Sequence, residues 1–169
     1  MMRGWVAAIL LMSALALPAR ANPPRLAVFD LELIDTSVEG DTPPPKAVQD
    51  RALRAGEQLR RELAQSGKFE IIDIAPVNAA AHDSNLQACG GCDVKFAREL
   101  GADLALTGVA RKISNIIVNI SLFVRDASSG RLVTAMNADM RGDTDEAWSR
   151  TTSYLVRNRL LAPNYGAPQ

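Results

Sequence analysis

Three strand patterns follow one another from Leu104 to Arg141 with almost nothing between them, and this run constrains the fold more than any other feature of the chain. Leu104–Ile113 is the first and leads into a tight turn near Ser114-Asn115. Ile116–Arg125 is the second: Ile116, Val118, Ile120, Leu122 and Val124 fall on one face, and Asn119, Ser121 and Arg125 on the other. Asp126-Ala127-Ser128-Ser129-Gly130 has turn composition, and Arg131–Arg141 returns as the third strand. Strands joined this closely pair as an antiparallel meander, and the alternation gives the meander one buried face.

That face needs cover, and the sequence supplies helices. From Ala47 the period becomes helical: Val48, Ala52, Ala55, Leu59 and Leu63 form one apolar stripe, while Arg51, Arg54, Glu57, Arg60, Arg61 and Glu62 lie mostly off it. Ser66-Gly67 ends this helix, because glycine takes the left-handed C-terminal conformation without a Cβ clash. Upstream, Arg25–Leu33 (RLAVFDLEL) reads as a strand, joined to the helix by a polar loop, Ile34–Pro45, that ends in three prolines. Phe69–Ile74 is a further short strand; an Ala/Asn-rich connection then leads to the cysteines, and Asp93–Leu100 forms a short helix closed by Gly101. Asp143 or Thr144 caps a last helix, with Glu146 placed to reach back over its first turn and Trp148, Thr151, Leu155 and Val156 as anchors. The order β-α-β-α-β-β-β-α predicts an α+β domain: a mixed sheet with a C-terminal antiparallel three-strand meander and helices packed on one face.

Ahead of this domain stands a leader. Arg3 is followed by an apolar run, Trp5–Leu17, too short to span a bilayer comfortably, and Ala19-Arg20-Ala21 presents small residues at the positions a signal peptidase reads. Residues 1–21 are therefore expected to be a cleaved signal peptide, which directs the rest to the periplasm. Of the 169 residues 148 then remain, enough for one domain, expected over 22–161, with 162–169 as a flexible tail. Loss of Arg3 and Arg20 leaves 17 basic against 19 acidic groups, a balance that argues against nucleic acid as a partner. No later segment is long and apolar enough to cross a membrane as a helix.

The opening LAVFDLEL strand, the QSGKFEIID and LGADLALTG segments and the closing VRDASSGRLV together resemble the amino-terminal domain of the TolB family and the related fold of CsgG-like assembly proteins, over roughly Arg25 to Arg141. The CGGCD and RGDTDEAW segments look like a narrower family of small exported bacterial proteins known only as a domain of unknown function. The resemblance implies a binding or assembly module with no catalytic residue to carry over, and an association with periplasmic quinoprotein dehydrogenase systems.

One motif has chemical potential of its own. Cys89-Gly90-Gly91-Cys92 can close a disulfide, bind a metal or exchange electrons. Covalent haem needs a histidine directly after the second cysteine, and Asp93 stands there. A metal could draw on His82, Cys89, Cys92 and Asp93, although structural zinc usually uses two such cysteine pairs. Thiol–disulfide catalysis would want a thiolate at a helix start, where Asp93 adds opposing charge. In an oxidising compartment the simplest outcome is a structural disulfide between Cys89 and Cys92. Asp35, Glu39 and Asp41 lack the ligand spacing of a calcium loop. The expected protein is thus a non-enzymatic periplasmic accessory protein that needs no cofactor and binds a periplasmic or envelope protein. A redox protein using the CGGC motif and a small-ligand or metal carrier are the alternatives.

Overall fold

A computed structural model of the chain describes residues 22–37, 45–114 and 116–166. The expected signal peptide lies outside the described residues, as do Glu39 and Asp41. The elements are β1 (Arg25–Asp35), α1 (Lys46–Gln65), β2 (Glu70–Ile72), α2 (Asn78–Asp83), α3 (Cys92–Glu99), β3 (Leu104–Ser114), β4 (Ile117–Asp126), β5 (Leu132–Arg141) and α4 (Asp145–Leu155). They build the expected α+β arrangement. Five strands lie in the order β2-β1-β3-β4-β5; β2, β1 and β3 run parallel, and β3, β4 and β5 form the antiparallel meander.

The main core lies under the two long helices. Val48, Ala52, Ala55, Leu59 and Leu63 of α1, the stripe read from the sequence, are buried against Val118, Ile120, Leu122 and Val124 of β4 and Leu106 of β3. Trp148 and Leu155 of α4 complete it; Thr152, one place on from the expected Thr151, is the threonine buried at that contact. A Cβ at Gly108 would stand 2.8 Å from Leu122 Cδ2 and 3.2 Å from the Leu31 side chain, so glycine lets these two leucines close over the strand.

The opposite face of the sheet is also covered, over β1 and β3, by α2 and α3. Ala27, Phe29 and Ala105 pack there against Ala81, Phe96 and Ala97, and the Phe29 and Phe96 rings meet at a centroid distance of 6.5 Å. Helices on one face alone was the expectation, and it holds for α1 and α4. Topology explains the addition. The chain moves from β1 to β2 in one direction and from β2 back past β1 to β3 in the other, and two right-handed parallel crossovers in opposite directions put their helices on opposite faces.

Three details differ from the pattern. Ile116 is 67% exposed and precedes β4 rather than joining its buried face. The Ala/Asn-rich connection contains α2. After α4 a π-helical turn spans Val156–Leu160; of the expected tail, 162–169, the described part makes a tight turn over Pro163–Gly166 with Asn164 and Tyr165 at positive φ and Tyr165 on the main core, and 167–169 lie outside the described residues. Packing of the Tyr165 ring favours that turn.

Candidate functional site

Strand β1 shifts register between Val28 and Leu31. This irregularity keeps Leu26, Val28, Leu31 and Leu33 on the main core although their spacing changes phase. It also sets Asp30 and Glu32 in a cleft of ≈ 540 Å³ between β1, α1 and α2, walled by Phe29, Leu53, Ala81 and Leu86. Asp30 is held by Arg60 at 2.9 Å and by His82 Nε2 at 3.2 Å. One oxygen of Glu32 accepts the Leu86 N–H; the other is buried without a hydrogen-bond partner among the described residues. Burial raises the Glu32 carboxyl above its usual range, against the lowering effect of the Leu86 and Gln87 N–H groups. An Asp–His pair invites a hydrolytic reading, but the hydroxyl of Ser84 in this cleft donates to the Ala80 carbonyl at 2.8 Å. The phase change from Leu26 and Val28 to Leu31 and Leu33 was the sequence signal that could have revealed Asp30 and Glu32.

The cysteine loop adjoins this cleft through Leu86. Cys89 and Cys92 are joined as a disulfide, with Cα atoms 5.9 Å apart. Cys92 opens α3, and its N–H donates to Cys89 Sγ at 3.3 Å; Gly91, at φ 111°, makes the turn into the helix. Asp93 is buried and pairs with Arg125 of β4 at 3.4 Å. His82 faces Asp30 instead, so the structure does not bring His82, Cys89, Cys92 and Asp93 together as one ligand set. Among the described residues no group of three or more His, Cys, Asp or Glu side chains is placed to hold a metal.

The RGDTDEAW segment has a tethering role. Asp143 accepts from Trp148 Nε1 at 2.8 Å and from Arg51 at 3.1 Å, and Asp145 accepts from Arg51 and Arg54. Thr144, rather than Asp143, caps α4 by accepting the Ala147 N–H, and Glu146 pairs forward with Arg150. At the β3–β4 end of the sheet Asp35 and Lys112 form a buried ion pair at 3.4 Å, and the Ser37 hydroxyl and N–H hold the Asp35 carboxyl below its usual range. The same end presents Ile113, Ile116 and Ile117 at 47%, 67% and 37% exposure. Arg111 and Arg141 are exposed beside them.

Together these features define a small mixed-sheet domain with a closed disulfide loop, a carboxylate-lined cleft and an apolar hairpin end. The chain belongs to the DUF3280 family, described as a protein of unknown function (DUF2380), whose model matches residues 24–160. No curated protein matches it. Among solved structures, the PelC dodecamer from Paraburkholderia phytofirmans is similar at 15% identity, with 90% of this chain and 94% of that chain covered and a TM-score of 0.54. The LpoB C-terminal domain from Salmonella enterica is 17% identical, covers 70% of this chain and 83% of its own, and has a TM-score of 0.51. Lipoprotein GNA1162 from Neisseria meningitidis gives 14%, 72% and 83%, with a TM-score of 0.52. At such identities the likeness establishes the fold. The expected TolB resemblance is distant, at 11% identity and a TM-score of 0.41 for TolB from Acinetobacter baumannii, with 81% of this chain and 29% of that chain covered. No support for the CsgG-like part comes from these structures. No helix among the described residues is long and apolar enough to cross a membrane.

Proposed function

We infer that the protein is an exported, non-enzymatic accessory module of the bacterial envelope that works by binding another protein. The observation that carries this reading is the hairpin end, where Ile113, Ile116 and Ile117 are exposed together beside Arg111 and Arg141. Neither arginine has an ion pair among the described residues. Clustered apolar side chains rimmed by charge mark contact surfaces rather than ordinary solvated surface. The dodecameric state of PelC and the lipoprotein nature of GNA1162 fit an envelope setting and suggest assembly as one use of this fold. A periplasmic quinoprotein dehydrogenase system is the partner class to examine first. Crosslinking of the full chain in periplasm, followed by mass spectrometry, should recover one dominant partner, lost in an Ile113→Ser/Ile116→Ser/Ile117→Ser variant. Recovery of no specific partner by the parent chain, or equal recovery by the variant, would contradict the reading.

The cleft favours a second reading, a carrier of a small ligand. Its buried Glu32 oxygen, unpaired among the described residues, beside an apolar wall suits a positively charged group on an apolar body. Octylamine should raise Tm for the parent and not for Glu32→Gln; equal shifts, or none, would remove this reading.

A further inference from the structure

We propose that the Cys89–Cys92 bridge is an exchange-competent disulfide that reacts through Cys89 with a dithiol on a partner protein. This goes beyond the binding role above and stands independently of it. Exposure distinguishes the two residues: Cys89 is exposed, and Cys92 is half-buried at the start of α3. The spacer between them offers no obstruction, because a Cβ placed on Gly90 or Gly91 would meet nothing within 4 Å. The spacer therefore adds no side chain over Cys89, and the Leu86 carbonyl, 3.7 Å from Cys89 Sγ, is a backbone group beside that sulfur.

Electrostatics at the same place favour the later release of Cys89 as a thiolate. The Cys92 N–H already points at Cys89 Sγ, 3.3 Å away, in the first turn of an eight-residue helix, so a negative charge on Cys89 finds a donor and the positive end of the helix. Asp93, whose charge by itself opposes a thiolate, is paired with Arg125. Arg125 and Arg98 both line a hollow of ≈ 340 Å³ with Gly90, Gly91 and Asp93, so the hollow beside the cysteine loop carries two guanidinium groups against one carboxylate.

The exchange balances in two steps. A thiolate of the partner attacks Cys89 Sγ; the Cys89–Cys92 bond breaks, and its electron pair leaves on Cys92 Sγ, which takes up a proton. The partner's second thiol, deprotonated, then attacks the partner's own sulfur in this mixed disulfide and expels Cys89 as a thiolate onto the Cys92 N–H. The partner is left with a disulfide and this chain with two reduced cysteines. Cys89, the sulfur that best carries negative charge, is the better leaving group of this second step, whereas access rather than leaving-group strength directs the first attack to Cys89.

The test uses the whole oxidised protein. Incubated with reduced glutathione, quenched in acid and peptide-mapped, it should carry the glutathione adduct on Cys89 at least about tenfold more than on Cys92. Single variants extend this: Cys92→Ser should react with Ellman's reagent about tenfold faster than Cys89→Ser, and Arg125→Gln in the Cys92→Ser background should slow that reaction. Circular dichroism identifies any variant that fails to fold, and the adduct map of the parent does not depend on the variants. An adduct shared equally between the cysteines, an adduct mainly on Cys92, or a bridge that glutathione leaves intact overturns the proposal.

Discussion

The two faces of the sheet are held by different means. Under α1 and α4 the core is continuous and aliphatic, with Leu59, Leu63, Leu106, Leu122 and Leu155 among its fully buried side chains. Over β1 and β3 on the other face, α2 has six residues and α3 eight, and the cluster is dominated by alanines around one pair of phenylalanines. Isolated helices of that length have little stability of their own. Polar ties and a covalent one take over: Glu32 to Leu86, Asp30 to His82, Asp93 to Arg125, Arg98 to the Ala127 carbonyl, and the Cys89–Cys92 bridge. One face is thus a packed scaffold. The other is a tethered layer, and it carries the sulfur chemistry and, together with α1, the cleft, as expected if reactive or binding elements come from the less stable part of a fold.

This contrast can be broken at several points. Leu59→Ala removes a fully buried side chain from the scaffold and should lower global stability by about 4 kcal/mol in a denaturant melt. Asp143→Ala should cost about 2.5 kcal/mol in the same assay, because it strands Trp148 Nε1 and removes the carboxylate that Arg51 meets. Reduction of the disulfide should subtract roughly 2 kcal/mol by loop entropy, with the loss felt in the tethered layer. A global collapse on reduction would show that the two faces are not separable.

The smallest effect is on pH dependence. Hydrogen bonds from the Ser128 hydroxyl and from Ser129 lower the Asp126 carboxyl from 3.8 to about 2, and Asp35 and Asp145 are also lowered. A folded-state value below the unfolded one means that the stabilisation is fully present above the ordinary carboxyl value and is lost as pH falls through the folded one. Asp126→Asn should therefore lose less stability than the parent between about pH 4 and pH 2 in an acid titration. Glu32 has the opposite sign. Its raised value favours the protonated form in the fold, so its contribution is present below 4.5 and is lost as pH rises through the folded value. Glu32→Gln should flatten the stability profile just above that point.

The scaffold was legible in the sequence because its signals are local. The α1 stripe is buried as read, and Val118, Ile120, Leu122 and Val124 keep the alternation of β4. The tethered layer was not. Asn78–Asp83 is rich in alanine and has no apolar period to mark α2, and nothing local to His82 reveals its partner Asp30, 52 residues earlier. The phase change in β1 was visible, but its consequence depends on pairing with β3. Asp93 shows the same limit: its charge is local information, whereas its neutralisation by Arg125 requires the fold.

Hydrogen–deuterium exchange of the oxidised and reduced protein, compared peptide by peptide, tests the separation of the two faces most directly. On reduction, protection should fall across α2, the cysteine loop and α3, while α1, β3, β4 and α4 keep theirs. Loss of protection spread evenly over both faces, or no change around α3, would contradict it.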